Sequence, residues 1–462
     1  MAKIRGGMEF RPGRPIRLPT PPDTIATGPL RLRCPQRPEV VAGQVVKRGD
    51  ALIRPQRDSA SCHVAPFTGT VRQVVPASGP GGSSALGGYD VTIEPAGQAV
   101  STSLEVPPPR GRKLEAWFAT LRQIGPWADR DGNVGLIPQL EAARTARPDT
   151  LICVGLDPFP PYPDRSSLLM SFPDDVVLGT LILGDLLGAP NVSVLAGKSA
   201  PVLGRLRPSC KNYRVRLVST ANIFPYADPT LVAWKHAPSR RRLPGGTNPV
   251  AHGLVLITPW TAIRIGRWCT LRKIDLIRPL FLAWPDAQSP LSSRYAFPGQ
   301  PLSSVDSRLT EYAHSSSWRV IYGNPMTGRP ASILAPPESD PPESRPPGAD
   351  HPHHVDRTRN TALLREVDPV VPDDELVVAV MPRLRRPAPR PCISCGWCAD
   401  VCPTQLRPVH LMNLCRSRRD DETLLDHLPW CVDCGLCTHV CPSSLPLAQT
   451  LRATSQSMGH LQ

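Results

Sequence analysis

Two short stretches in the last quarter of the chain decide the fold of that region: Cys392-Ile-Ser-Cys395-Gly-Trp-Cys398-Ala-Asp-Val-Cys402-Pro403 and Cys431-Val-Asp-Cys434-Gly-Leu-Cys437-Thr-His-Val-Cys441-Pro442. Both stretches have the spacing C-x2-C-x2-C-x3-C-P. Together they hold eight of the 14 cysteines in the chain. Cysteines clustered this tightly indicate metal ligands in a reducing compartment rather than a disulfide framework.

The repeated spacing is that of bacterial ferredoxin domains with two [4Fe–4S] clusters. The first three cysteines of each run predict a tight loop around one face of a cubane, and Gly396 and Gly435 let the backbone come close to it. The fourth cysteine is expected at a helix start, with its proline at the first helical position. Four-cysteine zinc sites are the alternative, but zinc commonly uses two separated C-x2-C pairs.

In ferredoxins of this kind the fourth cysteine of each run ligates the other cluster. The resemblance implies one cluster held by Cys392, Cys395, Cys398 and Cys441, and a second held by Cys431, Cys434, Cys437 and Cys402. Between the runs, Leu406 to Leu414 predicts a helix, and Cys415 is interpreted as a spare thiol. The remaining cysteines are interpreted as buried and structural: Cys34, Cys62, Cys153, Cys210 and Cys269.

Upstream of the cysteine runs the chain changes character several times. Residues 335–360 form a polar, proline-rich stretch, typical of a linker, and residues 375–380 predict a strand. Residues 28–97 contain short β-branched runs between turn glycines, which predicts a small β-sandwich or barrel. Residues 110–290 alternate helical and strand-like runs, which favours an α/β layer with a partly parallel sheet. The predicted elements there are a helix at 140–147, a strand at 150–154, a helix at 175–187, and strands at 191–195 and 254–258.

The chain is basic and rich in proline. Its 462 residues include 58 prolines, and the formal net charge is +14. Such a charge suits nucleic acid, an anionic membrane surface or an acidic protein partner, but no basic segment carries a groove-reading motif, so a nucleic-acid role is set aside. No apolar run of about 18 residues is present, and residues 1–14 lack the pattern of a secretory signal. The expected location is cytoplasmic, with any membrane association peripheral.

In the order of its segments, nearly the whole chain resembles the RnfC family, peripheral subunits of Rnf electron-transport complexes. Cobalamin reductases of bacterial microcompartments share that architecture. The segments that carry the resemblance are Gly6-Gly7, Val45 to Val71, Asp149 to Ile152, Leu168 to Met170, Val320 to Gly328, Pro391 to Ile393 and Pro442 to Leu447. Of these, Val320 to Gly328 looks like the family's GGPMMG segment.

The resemblance implies a multidomain α/β chain. It places an N-terminal barrel-sandwich β domain at 1–108 and a central α/β domain, similar to the flavin module of respiratory complex I, at 109–288. A small β-grasp-like region of the soluble-ligand-binding type follows at 289–334, then the linker at 335–360 and return strands at 361–387. A C-terminal ferredoxin-like α+β domain with two [4Fe–4S] clusters completes the chain at 388–462.

The family's flavin- and NADH-binding motifs are altered in this chain. The family has a glycine-rich loop, GxGGAGFPT, whose backbone N–H groups meet phosphate, and an acidic NGAECEPY segment. Here residues 124–135 read IGPWADRDGNVG and residues 154–162 read VGLDPFPPY. Pro126 and Trp127 obstruct close backbone approach, and Asp129 and Asp131 repel phosphate. The flavin mononucleotide and NADH sites are therefore expected to be lost or strongly altered.

The sequence thus predicts an iron–sulfur electron-transfer subunit of an oxidoreductase complex, without a catalytic residue of its own. Two alternatives stay open: a flavin-dependent NADH or cobalamin-reductase-type oxidoreductase, and an assembly or scaffold protein. The expected partner is a ferredoxin, a flavodoxin or another subunit of a complex, which is membrane-bound in the Rnf case. The arginines around the cysteine runs are interpreted either as a docking surface for an acidic partner or a membrane, or as a simply solvated face. They are Arg383, Arg385, Arg386, Arg390, Arg407, Arg416, Arg418 and Arg419.

Overall fold

A computed structural model describes residues 6–34, 36–53, 63–76, 88–111, 113–125, 127, 134–237, 242, 244–285, 291–313, 315–331, 369–383, 387–417 and 426–458. The expected linker at 335–360, Cys62, Pro126, Asp129, Asp131, Arg385, Arg386, Arg418 and Arg419 lie outside these residues. The described part of the chain is a mixed α/β fold with five sheets and 13 α-helices.

The N-terminal part is a small β structure. Its strands are β1 (Thr24–Ala26), β2 (Leu30–Cys34), β3 (Val45–Val46), β4 (Gly69–Pro76), β5 (Tyr89–Pro95), β6 (Ala99–Ser101) and β7 (Ser103–Glu105). An antiparallel sheet has the order β2-β5-β4-β3, and β1 pairs separately with β6. Alternate residues of the strands, such as Leu30, Val91 and Ile93, are fully buried in one core with Phe67 and Phe297, as the period of two requires.

The central part alternates strands and helices. In chain order its elements are α1 (Leu114–Gln123), α2 (Leu136–Ala146), β8 (Thr150–Gly155), α3 (Asp164–Ser171), α4 (Pro173–Leu187), β9 (Asn191–Gly197), α5 (Ala200–Asn212), β10 (Arg216–Thr220), α6 (Pro229–His236), β11 (Leu254–Ile257) and α7 (Pro259–Leu271). The elements predicted in this region are confirmed, with ends that differ by a few residues.

The four strands β10-β9-β8-β11 form a sheet in that order, and every pair in it is parallel. In the inner strand β8, Leu151 to Gly155 are all buried, because helices cover both faces of a parallel sheet. A short 3-10 helix, Pro249–His252, precedes β11. The carboxyl ends of all four strands lie at one edge of the sheet, and in such sheets the ligand-binding crevice opens there.

The next sheet draws strands from distant parts of the chain. Its elements are β12 (Lys273–Asp275), β13 (Arg278–Ala283), β14 (Leu291–Ala296), α8 (Leu302–Val305), α9 (Arg308–Ala313), β15 (Trp318–Tyr322), β16 (Arg329–Pro330) and β17 (Val377–Pro382). β12 pairs with β7, and the other five form a sheet of order β14-β13-β17-β15-β16. The predicted strand at 375–380 is confirmed as β17, which lies parallel to β13 and antiparallel to β15.

The C-terminal part is built of short helices around the two cysteine runs. They are α10 (Trp397–Asp400), α11 (Pro408–Ser417), α12 (Leu436–His439) and α13 (Leu447–Ser457), with a 3-10 turn at Leu428–Trp430. The helix predicted between the runs is confirmed as α11. α11 and α13 pack on each other through Leu411, Leu451 and Leu428.

In the described residues no single helix is long and apolar enough to cross a membrane. Only α3 and α4 taken together reach the required length and composition, and their axes bend by 96° at the break between them.

Candidate metal centre

The two cysteine runs fold in the same way. Three pairs of equivalent residues have positive φ angles: Ser394 (56°) and Asp433 (51°), Gly396 (81°) and Gly435 (80°), and Gln405 (61°) and Ser444 (52°). This left-handed conformation disfavours most side chains, so its recurrence reflects a common loop geometry. Sequence reasoning found the two glycines but not the four other residues, because serine, aspartate and glutamine carry no general signal for positive φ.

Equivalent hydrogen bonds close both loops. Gln405 N–H donates to the Cys402 carbonyl over 3.1 Å, and Ser444 N–H donates to the Cys441 carbonyl over 3.1 Å. Each fourth cysteine therefore lies in a turn, and the following helices begin only at Pro408 and Leu447. The prediction that the fourth cysteine stands at a helix start was wrong. The turn at Cys402 and Cys441 comes first, and the prolines after them belong to that turn.

Four cysteines from both runs meet in one place. Cys402 of the first run and Cys431, Cys434 and Cys437 of the second run line one small cavity with Leu436 and Leu451. Negative charge on Cys402 or Cys437 raises the pKa of Cys431 and of Cys434, and negative charge on Cys402 raises the pKa of Cys437, so these sulfur atoms are close together. We call these four residues the inner site.

The remaining four cysteines of the two runs are Cys392, Cys395, Cys398 and Cys441, and we call them the outer site. Cys398 and Cys441 pack against Val409, Leu445 and Leu447, and Cys395 is close enough to Cys398 to affect its charge. Cys392 and Cys395 are exposed. The other cysteines are placed as follows: Cys34, Cys153 and Cys210 are buried, and Cys269 and Cys415 are half-buried.

Backbone N–H groups point at several of the sulfur atoms. Ser394 N–H donates to Cys392 Sγ and Asp433 N–H donates to Cys431 Sγ, each over 3.4 Å, at equivalent positions of the two runs. Leu406 N–H donates to Cys402 Sγ over 3.3 Å. Such donors stabilise negative charge on sulfur, and in iron–sulfur proteins they raise the reduction potential of the cluster.

The three inner thiols of the second run are in an environment that opposes their ionisation. Burial raises the pKa of Cys431 and of Cys437 to about 12, with the charges of neighbouring cysteines acting in the same direction. Burial also raises the pKa of Cys434 well above its ordinary value. Three such thiols close together lose their protons only to a strongly bound cation, because a metal deprotonates the thiols that coordinate it.

The donor set fits an iron–sulfur cluster. Within the part of the chain that the structure describes, no three His, Cys, Asp or Glu side chains are grouped around the position of a single metal ion. An iron–sulfur cubane would take the four thiolates one at each iron, so it would not require the donors to converge on a single point. An all-thiolate set is the usual ligand set of such a cluster, and the N–H donors described above suit its negative charge.

The inner site lies against the carboxyl edge of the parallel sheet. Leu436 packs with Phe159, which follows β8, and with Phe224, which follows β10. The N-terminal segment fills the space beside them: Gly7 N–H donates to the Val401 carbonyl over 2.9 Å. Phe10 packs on Phe159 at 5.0 Å and on Phe224 at 6.0 Å between ring centroids. Sequence reasoning missed this aromatic contact, which joins residues far apart in the chain.

A second contact holds the 3-10 turn that leads into the second cysteine run. Gly245 N–H donates to the Pro429 carbonyl over 2.7 Å, and the rings of Trp234 and Trp430 are 5.9 Å apart. The segment around Gly245 therefore supports the turn that leads into the second cysteine run.

Trp127, in the segment 124–135, packs against other side chains of the protein. Trp127 is buried, and its indole N–H donates to the Leu121 carbonyl over 2.8 Å. The guanidinium of Arg264 lies 4.1 Å from the centre of the Trp127 ring. These contacts fill the space around residue 127 with protein side chains.

Asp157, in the altered acidic segment, is engaged in the protein interior. Its carboxylate accepts hydrogen bonds from Ser166 N–H at 2.8 Å, from the Ser166 hydroxyl at 2.6 Å and from the Asn222 amide at 2.8 Å. Burial raises the pKa of Asp157 to about 6. The residue therefore ties α3 to the loop after β10.

Comparisons with known proteins give weak likenesses. No protein-family profile matches the chain, and no curated protein matches it. Two crystal structures of an NAD+-reducing [NiFe]-hydrogenase are similar to it in part. The H2-reduced form is 13% identical with a TM-score of 0.42, over 75% of this chain and 67% of that chain. The air-oxidized form is 14% identical with a TM-score of 0.40, over 79% and 69%.

Proposed function

We propose that this chain is an electron-transfer subunit that carries two [4Fe–4S] clusters, one at the inner site and one at the outer site. The observation that carries the proposal is the convergence of Cys402 with Cys431, Cys434 and Cys437. A cysteine from one run completes the ligand set of the other, which is the arrangement of two-cluster ferredoxins. Bound there, each cluster supplies reversible one-electron transfer.

The residues of the chain hold and tune the two sites. The loops with positive φ at Ser394 and Asp433 turn their N–H groups toward Cys392 and Cys431, which stabilises the thiolates. The packing of Leu436 against the sheet edge covers one side of the inner site, whose four cysteines are half-buried, whereas Cys392 and Cys395 of the outer site are exposed. The two clusters are therefore expected to differ in reduction potential, because solvent exposure is one of its determinants.

We further propose that electrons reach the clusters from a protein partner rather than from NADH through a bound flavin. The observations that support this are the buried Trp127 with Arg264 over its ring, and the three hydrogen bonds that Asp157 already accepts. The flavin-dependent alternative requires a glycine loop open to phosphate.

The chain is then an RnfC-like subunit of an oxidoreductase complex, with the domain limits expected from its sequence and a peripheral place on any membrane. The strand β13, at residues 278–283 of the expected central domain, pairs with β14 of the expected β-grasp-like region. The two regions are therefore in direct contact. A peripheral place is expected to show as release from membranes by salt, without detergent.

The test is anaerobic purification followed by quantification of iron, sulfide and flavin on one sample. We expect about eight iron and eight sulfide per chain and no flavin. Iron without sulfide, or less than one iron per chain after reconstitution, would contradict the clusters. One flavin per chain would restore the NADH-oxidising alternative.

A matched pair of variants localises the iron. Cys437→Ala removes an inner-site ligand, and we expect it to lower the iron content from about eight to about four per chain. Cys415→Ala removes a half-buried thiol on α11 that belongs to neither run, and it is expected to keep all the iron.

A further inference from the structure

The two cysteine runs differ sharply in exposure at equivalent positions. Trp397 and Leu436 each follow the glycine of their run, but Trp397 is 55% exposed and Leu436 is fully buried. Ile393, after the first cysteine, is 67% exposed, whereas its counterpart Val432 is half-buried. The two loops therefore share one backbone geometry, but these two side chains are exposed to solvent in the first run and packed against the rest of the chain in the second.

The surroundings of the two glycines show the same difference. A Cβ atom on Gly435 would lie 3.0 Å from the Met326 carbonyl oxygen, whereas a Cβ on Gly396 would meet nothing within 4 Å. Met326 thus covers the loop of the inner site at Gly435, whereas the loop of the outer site is uncovered at Gly396.

Exposed large apolar side chains are few in the described residues. They are Val41, Val45, Leu271, Ile393 and Trp397. Two of the five are close in sequence to the exposed Cys392 and Cys395: Ile393 in the loop and Trp397 at the start of α10. Tryptophan is the residue most enriched at the energetic centre of protein interfaces, and a local apolar patch rimmed by polar groups marks an interaction site.

The rim of this loop is more basic than acidic. Arg390 precedes the first cysteine, and Arg407 precedes α11, whose Val409 N–H interacts with Cys398. Both arginines are exposed, as is Asp400 at the end of α10. The whole chain has a net charge of +14, so long-range attraction also favours a partner of negative charge.

We propose that the outer face, formed by Ile393, Trp397, Arg390 and Arg407, docks an acidic one-electron carrier protein, and that the outer site is where electrons enter or leave the chain. This inference rests on the proposed function. Electron transfer slows steeply with distance, so the carrier must bring its own centre close to an exposed cluster. Redox encounters of this kind use small interfaces, below about 1,200 Å². An isolated patch of Trp397 and Ile393 with a basic rim suits an interface of that size.

The exchange balances as a single electron transfer. With a cluster held by the outer cysteines, the carrier's centre would lose one electron and be oxidised, and the cluster would gain it and be reduced; in the other direction the roles would reverse. No bond to the carrier forms or breaks, and no proton is required.

The test measures the rate at which the dithionite-reduced holoprotein reduces an acidic plant-type [2Fe–2S] ferredoxin, used as the probe, in a stopped-flow instrument. We expect Ile393→Ser with Trp397→Ser to lower the second-order rate constant about tenfold. Val45→Ser with Leu271→Ser, which changes two equally exposed apolar residues on β3 and α7, is expected to leave it unchanged. Iron content and reduction by the methyl viologen radical, measured on each variant, show that the clusters are intact.

The charge of the partner is tested separately. Arg390→Glu with Arg407→Glu is expected to lower the rate at low ionic strength and to flatten its dependence on salt, while Arg37→Glu on the N-terminal β domain is not. Intact clusters with equal rates in all variants, no reaction of the wild-type protein with the acidic probe, or a faster reaction after charge reversal would each overturn the docking proposal. Absence of iron and sulfide from the wild-type protein would instead overturn the proposed function.

Discussion

Gly6 lies directly against Cys402: a Cβ atom on Gly6 would stand 2.5 Å from the Cys402 carbonyl oxygen, closer than any side chain allows. The two residues are almost 400 positions apart, and Gly7 N–H donates to the Val401 carbonyl beside them. The N-terminal segment therefore buttresses the turn that carries Cys402 into the inner site.

We expect Gly6→Ala to lower the melting temperature and to speed the loss of iron in air. The substitution adds a steric clash at Cys402 to the cost of alanine at φ +85°, which is about 1 kcal/mol. Gly43→Ala is a matched control, because Gly43 has the same φ of +85° and open space around it. Equal iron loss in the two variants would contradict a supporting role of the N-terminal segment.

The buried carboxyl pair at α3 makes stability depend on pH. Burial, and then the charge of Asp157, raises the pKa of Asp164 to about 7, against 3.8 for an ordinary aspartate. At pH values between these two pKa values, Asp164 is protonated in the folded chain and ionised in the unfolded chain. The free energy of unfolding therefore falls as pH rises from about 4 to about 7, by at most about 1.4 kcal/mol per pH unit for each carboxyl.

Asp164→Asn replaces a carboxyl group, whose ionised form is destabilised by burial, with a neutral amide. We expect it to raise the melting temperature at pH 8 relative to the wild-type protein and to change it little at pH 5, where Asp164 is protonated in the folded state. Asp149→Asn, at an exposed position, serves as the control. A stabilisation of the same size at both pH values would contradict the assignment of Asp164.

The ion pair between Arg452 and Asp433 lies beside the inner site. Arg452 Nε is 2.5 Å from Asp433 Oδ2, and Asp433 N–H donates to Cys431 Sγ. Arg452→Met leaves the Asp433 carboxylate uncompensated near that cluster. At pH 8 we expect the midpoint potential of one of the two clusters to fall by about 40 mV, which corresponds to an electrostatic cost of about 1 kcal/mol. Arg416→Met, on the exposed side of α11, should shift neither potential in redox titrations followed by electron paramagnetic resonance.

Features that depend on neighbours in sequence were open to prediction. The cysteine spacing with Gly396 and Gly435 indicated two equivalent loops, and apolar runs indicated β8, β9 and α4. The helix start at the fourth cysteine was predicted wrongly, because a proline after cysteine suits a turn as well as a first helical turn.

Features that depend on distant contacts could not be read from the sequence. The different exposure of Trp397 and Leu436 follows from which loop meets Phe159 and Phe224. The parallel pairing of β13 with β17 joins strands that are separated by a proline-rich stretch. In both cases the local sequence is compatible with several partners, and only the packing of the whole chain selects one.

The central claim is that Cys402 completes the cluster of the second run, and iron counting in a pair of double variants tests it most directly. If Cys402 and Cys431 serve the same cluster, Cys402→Ala with Cys431→Ala removes one cluster, and about four iron per chain remain. Cys398→Ala with Cys431→Ala removes one ligand from each cluster and should leave almost no iron. Nearly complete iron loss in the first double variant, equal to that in the second, would show that each run holds its own cluster and would contradict the account.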